Sequence, residues 1–280
     1  MGTFELSKMQ SRYIDYWKLS EPTHIAQTFT GNLYKVNSSY GKAVLKIFTE
    51  VGIKDEIGGT DFLKNTQGKG SVKLFESDER AQLLEFLPGS NLYEFSKNGE
   101  EEKATDFFIK IIKNISSAEI KYSNGLLPLE KLFDAFERVS YPKHLESLLT
   151  NGKELAYQLA STQTKKVLLH GDLHHENVMK TKNGDFVCFD PKGIVGDPSY
   201  ELGTTLKNPW DYPEISHNID LYRERVDNFS DELYLPKDRI VGFSYVHLCL
   251  SVLWGVEDGN DFSHQEAVLK MIEPELKKYF

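Results

Sequence analysis

The stretch His170-Gly171-Asp172-Leu173-His174-His175-Glu176-Asn177 is the densest polar cluster in a chain of 280 residues. It places an aspartate five positions ahead of an asparagine, and thirteen residues further on Asp190 closes the apolar run Phe186-Val187-Cys188-Phe189. A carboxylate at the end of such a strand is held rigidly, as a ligand to a cation must be. Magnesium prefers hard oxygen ligands and keeps several waters, so the Asp190 carboxylate, the Asn177 amide oxygen and a polyphosphate would suffice to hold it. Asp172 is then free to accept a proton from a hydroxyl.

A zinc site competes for the same letters, because His170 and His174 are four apart and could share a helix face. Gly171 and the nearby asparagine disfavour a regular helix, however, and the His-Glu-x-x-His pattern fails at Met179. His170 is expected to fix the loop by packing or hydrogen bonding. His174 and His175 are given no direct catalytic role. Cys188 and Cys249 stand in no CxxC or Cys/His ligand spacing, which argues against a disulfide framework or structural zinc and makes a reducing cytoplasm the expected setting.

Aspartate and asparagine at this separation match the spacing of kinase catalytic loops. Such chemistry needs a cation for phosphates. Lys46 is the single charge inside the apolar core of Ala43-Val44-Leu45-Lys46-Ile47-Phe48, and Glu56, ten residues on, is the expected partner that orients it, with Asp55 as competitor. No Walker sequence exists, since Leu63 and Ser147 occupy the places where its first glycine is needed. The turn Thr28-Phe29-Thr30-Gly31-Asn32 is a candidate phosphate cover; with one glycine it also reads as a plain hairpin turn.

Pattern separates the chain into two parts. Five β-type runs (24–29, 32–38, 43–48, 71–75 and 82–87) enclose a helix at 53–64 and follow an amphipathic helix at 7–19. Pro88-Gly89-Ser90-Asn91 reads as a linker, which makes residues 1–88 one lobe and 89–280 the other. The second lobe is expected to be helical over 101–121, 129–149, 152–162, 214–229, 238–256 and 264–279, with short strands at 167–169 and 186–189 around the polar loop. This is an α+β arrangement with a cleft between lobes, a common ligand site.

Composition narrows the partners. Hydrophobic content of 40% and 12% aromatics exclude a disordered chain. With 33 Lys+Arg against 42 Asp+Glu, a formal charge of −9 argues against broad binding to nucleic acid or anionic membrane. Residues 201–261 hold 5 basic and 12 acidic side chains, net −7, a field that would steer a cation inward. Glu201, Asp211, Glu214, Glu257, Asp258 and Asp261 are the candidate carboxylates for such an acceptor. Met1-Gly2-Thr3-Phe4-Glu5-Leu6 shows no leader pattern, and Leu6 stands where a myristoylation site wants Ser or Thr. The apolar stretch Ile240–Val256, interrupted by Ser244, His247 and Ser251, reads as a buried core helix rather than a membrane span, so a soluble chain is expected. No obligate protein partner is inferred.

Together with Phe189-Asp190-Pro191-Lys192-Gly193 and Gly196-Asp197-Pro198-Ser199-Tyr200-Glu201-Leu202, the 170–177 loop resembles the aminoglycoside phosphotransferases, and within them the streptomycin kinase and hydroxyurea kinase branch. Asp-Pro-Lys-Gly in place of the more widespread Asp-Trp/Phe-Glu narrows the branch. Thr28-Phe29-Thr30, Asp55-Glu56 and Leu83-Leu84-Glu85-Phe86 also look like it, so the likeness runs from about residue 23 to 210. The resemblance implies a bilobal protein-kinase-like fold and a phosphotransferase that uses magnesium and ATP, or GTP in its place. The acceptor it implies is a hydroxyl of a small cationic molecule: a streptomycin-type aminoglycoside, or otherwise a sugar, amine or amino alcohol; the alternative of a catalytically silent nucleotide-binding module is disfavoured by intact Lys46, Asp172, Asn177 and Asp190. It makes Asp172 the catalytic base, Asn177 and Asp190 metal ligands, Lys46 a phosphate contact and Glu85, Phe86 and Leu87 the adenine hinge. It assigns no role to Lys192.

Overall fold

The computed structural model describes residues 3–280, with side chains from Lys8 onward; Met1 and Gly2, the start of the segment read as lacking a leader, lie outside the described residues. Helix α1 (Thr3–Tyr16) precedes three antiparallel strands, β1 (Ser20–Gln27), β2 (Gly31–Ser38) and β3 (Gly41–Phe48). Helix α2 (Gly52–Thr66) and strands β4 (Leu74–Ser77) and β5 (Ala81–Glu85) complete a five-stranded sheet in the order β1-β2-β3-β5-β4. Successive strand residues face opposite sides. Ala43, Leu45 and Ile47 therefore join Tyr34, Val36, Ala81 and Leu83 in a small core closed by Tyr13 of α1, and Lys46 between them faces the other way. On that other face Gln82, beside Lys46, donates through Nε2 to Thr60 Oγ1 of α2 at 2.7 Å.

The remaining chain is largely helical. It comprises α3 (Tyr93–Lys97), α4 (Glu101–Ser116), β6 (Leu127–Pro128), α5 (Asp134–Arg138), α6 (Glu146–Ser161), β7 (Val167–Leu169), β8 (Val178–Lys180), β9 (Phe186–Cys188) and β10 (Ile194–Gly196). Helices α7 (Leu202–Leu206), α8 (Pro213–Ser216), α9 (Ile219–Leu233), α10 (Lys237–Asp258) and α11 (Ser263–Leu276) follow. Its core is a larger, separate cluster that also takes in Phe62 and Leu63 of α2, so this helix packs on both parts of the molecule. Helix α10 is long and apolar enough to cross a membrane by length and composition, but 83% of its apolar window is buried inside the protein.

Several boundaries differ from the sequence expectation. The helix expected over 129–149 is broken by an extended Val139 and by Pro142 into a 3-10 turn, α5 and a second turn. Helix α6 starts at Glu146 and runs through Gly152, where a Cβ would lie 2.5 Å from Cys249 Sγ; the glycine is a close-packing residue and not a helix start. His217 and Asn218 interrupt the helix expected over 214–229, and the Asn218 side chain caps α9. Strand β4 begins at Leu74 because Val72 N–H turns instead to Cys188 C=O at 2.8 Å. Strands β6, β8 and β10, each of two or three residues, were too short to show a period.

Candidate active site

Two short sheets frame the polar loop. Antiparallel pairing of β7 with β10 sets the start of residues 170–177, and the β8–β9 hairpin sets their end. Phe189 N–H donates to Asn177 C=O at 2.9 Å, which brings Asp190, the next residue, beside Asn177. Asp190 takes a left-handed backbone (φ 58°) that turns it out of the strand. Gly171 (φ 82°) makes the corresponding turn before Asp172, where a Cβ would strike Ile194.

Lys46 reaches across the cleft. Its Nζ lies 2.7 Å from Glu56 Oε1 and 2.7 Å from Asp190 Oδ1, so Glu56 and not Asp55 is the partner on α2. Burial lowers the Lys46 pKa, but Asp190 and Glu56 outweigh it and hold the ammonium charged. Burial likewise raises the Asp190 pKa, and the Lys46 ammonium more than reverses the effect. Asn177 Nδ2 donates to Asp172 C=O at 2.9 Å. Asn177 Oδ1 and Asp190 Oδ2 are thereby left without a hydrogen-bond partner among the described residues, two hard oxygens on adjoining segments that suit magnesium.

His170 fixes the loop. Its Nε2 pairs with Phe189 C=O at 2.9 Å, and Asp172 N–H donates to Nδ1 at 3.2 Å, so neither ring nitrogen is left for a metal. Burial pushes its pKa down to about 4 and keeps it neutral. Glu201 was expected to face a cationic acceptor. It is 1% exposed, and its carboxylate instead accepts from His170 N–H at 2.5 Å and Gly171 N–H at 3.2 Å, bracing the 170–177 loop from beneath. Burial raises its pKa to about 7.

Glycines seat α2 against this frame. A Cβ on Gly52 would lie 1.8 Å from Thr30 C=O, on Gly58 2.4 Å from Lys192 C=O, and on Gly59 2.4 Å from Pro191 C=O. Glycine is poor for helix stability, so three in one 15-residue helix are explained by these backbone contacts. One element thus ties the 28–31 turn, Lys46 and the Asp190 loop together. The conspicuous Asp-Pro-Lys-Gly segment is part of this seat: Lys192 N–H donates to His170 C=O at 2.8 Å, while its side chain is exposed.

A cavity of about 840 Å³ lies between the lobes, lined by Thr28, Phe29, Thr30, Glu56, Asp172, Asp190 and Lys192. Thr28 Oγ1 closes the turn by accepting from Gly31 N–H at 3.0 Å; Gly31 itself packs on Lys46, where a Cβ would lie 3.2 Å from Cγ. Glu85, Phe86 and Leu87 stand apart from this cavity: Glu85 N–H is taken by Lys73 C=O, and the Phe86 ring lies under Lys35 Nζ at 4.6 Å. The half-buried Leu87 N–H has no partner among the described residues, which suits the edge of a planar base.

A second cavity of about 540 Å³ adjoins the first, lined by Tyr93, Asp172, His174, Glu176, Lys207, Trp210 and Asp211. Of the six acidic candidates, only Asp211 lines it. Glu214 lines neither cavity, Glu257 forms a two-pronged ion pair with Arg138 (2.6 and 2.7 Å), Asp258 ends α10, and Asp261 caps Ser263 N–H at 3.0 Å. The structure adds Glu176, Tyr93, Trp210 and Lys207. Glu176 was legible, being inside the motif; the others lie on distant segments with no local signal. The Tyr93 phenol is pushed up to about 12 by burial and then by Glu176 and Asp211, a mark of the negative field there.

Comparison with known proteins agrees with this geometry. Residues 16–259 match the family model described as aminoglycoside/hydroxyurea antibiotic resistance kinase. The chain is 25% identical to streptomycin 6-kinase of Streptomyces griseus over 266 residues, covering 91% of this chain and 84% of that protein. Among solved structures, an ethanolamine kinase of Plasmodium vivax superposes with a TM-score of 0.70 at 14% identity, covering 100% of this chain and 91% of that one. Aminoglycoside phosphotransferase APH(4)-Ia, in a ternary complex with ADP and hygromycin B, gives 0.66 at 11% identity, covering 96% and 98%. Both neighbours share the bilobal protein-kinase-like fold. The chain is a small-molecule phosphotransferase: it belongs to the aminoglycoside/hydroxyurea antibiotic resistance kinase family.

Proposed function

We propose that the protein transfers the terminal phosphoryl group of ATP, with magnesium, to a hydroxyl of a small cationic acceptor, of which a streptomycin-type aminoglycoside is the leading case. The observation that carries this reading is the junction of Lys46, Glu56 and Asp190 at one end of a cleft and Asp172 at its centre, with a carboxylate- and aromatic-lined cavity adjoining. Residues 1–88 act as the nucleotide lobe and 89–280 as the catalytic and acceptor lobe. The setting is the cytoplasm, in keeping with two buried free cysteines.

Magnesium bound to the triphosphate supplies charge neutralisation for a loose, in-line transfer. The chain does the rest. Lys46, locked by two carboxylates, would hold the phosphates; Asn177 Oδ1 and Asp190 Oδ2 would hold the cation; Glu85 to Leu87 would edge the base; and Thr28, Thr30 and Gly31 would cover the phosphates. Asp172 orients the acceptor hydroxyl and takes its proton, a contribution of roughly 10²–10⁴ in rate. Glu176 and Asp211 draw an acceptor ammonium or guanidinium, each worth roughly 4 kcal/mol gross at 4 Å and an effective dielectric of 20, most of it offset by desolvation. Tyr93 and Trp210 add π-faces to the same cation.

An amino-alcohol kinase is the second reading, favoured by the close superposition on the ethanolamine kinase. Incubation with magnesium, labelled ATP and a panel of aminoglycosides, sugars and amino alcohols decides between them, with mass spectrometry locating the modified hydroxyl. Nucleotide binding with no transfer to any acceptor would refute both.

A further inference from the structure

Two side chains, Asp172 and Lys207, line both cavities. Lys207 follows α7 and is 9% exposed. Its Nζ donates to Ser251 Oγ at 2.7 Å, and it makes no ion pair with any carboxylate among the described residues. Two of its three N–H donors are therefore uncommitted. Its position is rigid: Thr205 Oγ1 donates to Leu173 C=O at 2.8 Å, Arg225 donates to the carbonyls of Thr205 and Asn208 at 2.8 and 2.9 Å, and Lys207 C=O pairs with His264 Nε2 at 2.9 Å.

A buried ammonium without a counter-charge is unfavourable, and proteins keep such groups where a partner arrives. Burial pushes the Lys207 pKa down to about 8, with Asp172 the one charge that opposes it. The missing partner is an anion at the boundary of the two cavities. Lys46 lines neither cavity, and Lys192 lines only the first, so neither stands at that boundary.

We propose that Lys207 is a catalytic residue that binds the phosphoryl group in transit; the assignment rests on the kinase reading above. As the acceptor oxygen bonds to phosphorus, the bond from phosphorus to the bridging oxygen of the nucleoside diphosphate breaks, and that oxygen keeps the electron pair. The acceptor proton passes to Asp172. Lys207 stays with the non-bridging oxygens, whose charge is spread over three atoms in a loose transition state, from nucleotide to product.

The test is Lys207→Met, which keeps an unbranched side chain one atom shorter and removes the charge. Turnover should fall about 100-fold or more, the usual loss on removing one such donor, with KM for ATP and acceptor unchanged. Calorimetry with magnesium and acceptor should show ADP alone binding as to wild type, and ADP with aluminium fluoride, a phosphoryl stand-in, binding more weakly by a comparable factor. Unchanged affinity for the stand-in, or a raised acceptor KM with intact turnover, overturns the assignment. The wild-type enzyme provides a measurement that needs no variant: acylation of Lys207 by a small amine reagent, read by peptide mass spectrometry, should be blocked by ADP with aluminium fluoride and acceptor, and not by ADP alone. Equal labelling in the two states overturns it as well. Absence of transfer by wild type would refute the kinase reading itself, a separate result.

Discussion

Gly59→Ala tests whether α2 is a seated part of the active site. Inside a helix the exchange would by propensity alone stabilise by about 1 kcal/mol. The structure reverses the sign. The added methyl would stand 2.4 Å from Pro191 C=O, and ordinary contact begins near 3.4 Å, so helix and loop must separate by about 1 Å. Both atoms concerned are tied to backbone, and no flexible side chain can yield. Overpacking of this kind costs about 1–3 kcal/mol, for a net loss of up to about 2 kcal/mol and a fall in Tm of up to about 8 °C. The same displacement stretches the 2.7 Å Lys46–Glu56 contact beyond hydrogen-bonding range and frees Asp190 from its fixed place. A misplacement of 1 Å costs about 10²-fold in rate. Thermal unfolding and turnover of the purified variant, with calorimetry of magnesium-ATP binding, are the assays. A variant that unfolds at or above the wild-type temperature with wild-type turnover would refute the reasoning.

Other perturbations separate the roles. Asp172→Asn should leave nucleotide binding intact and lower turnover about 100-fold or more, whereas Asp190→Asn should weaken magnesium-nucleotide binding directly in calorimetry; near-wild-type turnover in either removes that residue from the site. Glu176→Gln with Asp211→Asn should raise the acceptor KM and flatten its rise with salt while the nucleotide KM stays constant, and a wild-type acceptor KM insensitive to salt counts against the acidic cavity. In urea unfolding across pH, buried His170, His175 and His247 and half-buried His174, each with its pKa lowered by desolvation, stay neutral while the unfolded chain takes up protons, so stability falls as pH drops through 6.5 toward 4. Glu201, raised to about 7 by burial, runs the other way: folded protein binds its proton first, and stability rises as pH falls from 7 toward 4.5. Glu201→Gln should therefore steepen the acid slope by about 1.4 kcal/mol per pH unit between 5 and 6.5; parallel curves would show that Glu201 is ionised throughout.

The candidate catalytic centre was legible in the letters because its geometry is local. A hairpin of three-residue strands brings Asn177 and Asp190 together, so spacing along the chain stands in for distance in space. Lys46 was legible because a charge inside a period-2 apolar strand marks a face turned away from its own core. The helical lobe was legible in outline, and its errors arose at Gly152 and at Pro142, where a distant cysteine or an extended loop decided between helix and turn.

The proposed acceptor side was decided by tertiary structure. Glu201, Asp211 and Glu257 are alike as carboxylates in an acidic segment, yet one is buried under the 170–177 loop, one lines a cavity and one is spent on Arg138. Lys207 carried no signal at all, since its place beside Asp172 is set by Thr205, Arg225 and His264, drawn from three helices. Chemistry carried on adjoining segments can be read along the chain; a side chain whose neighbours come from remote elements acquires its field, and with it its function, only when the core closes around it.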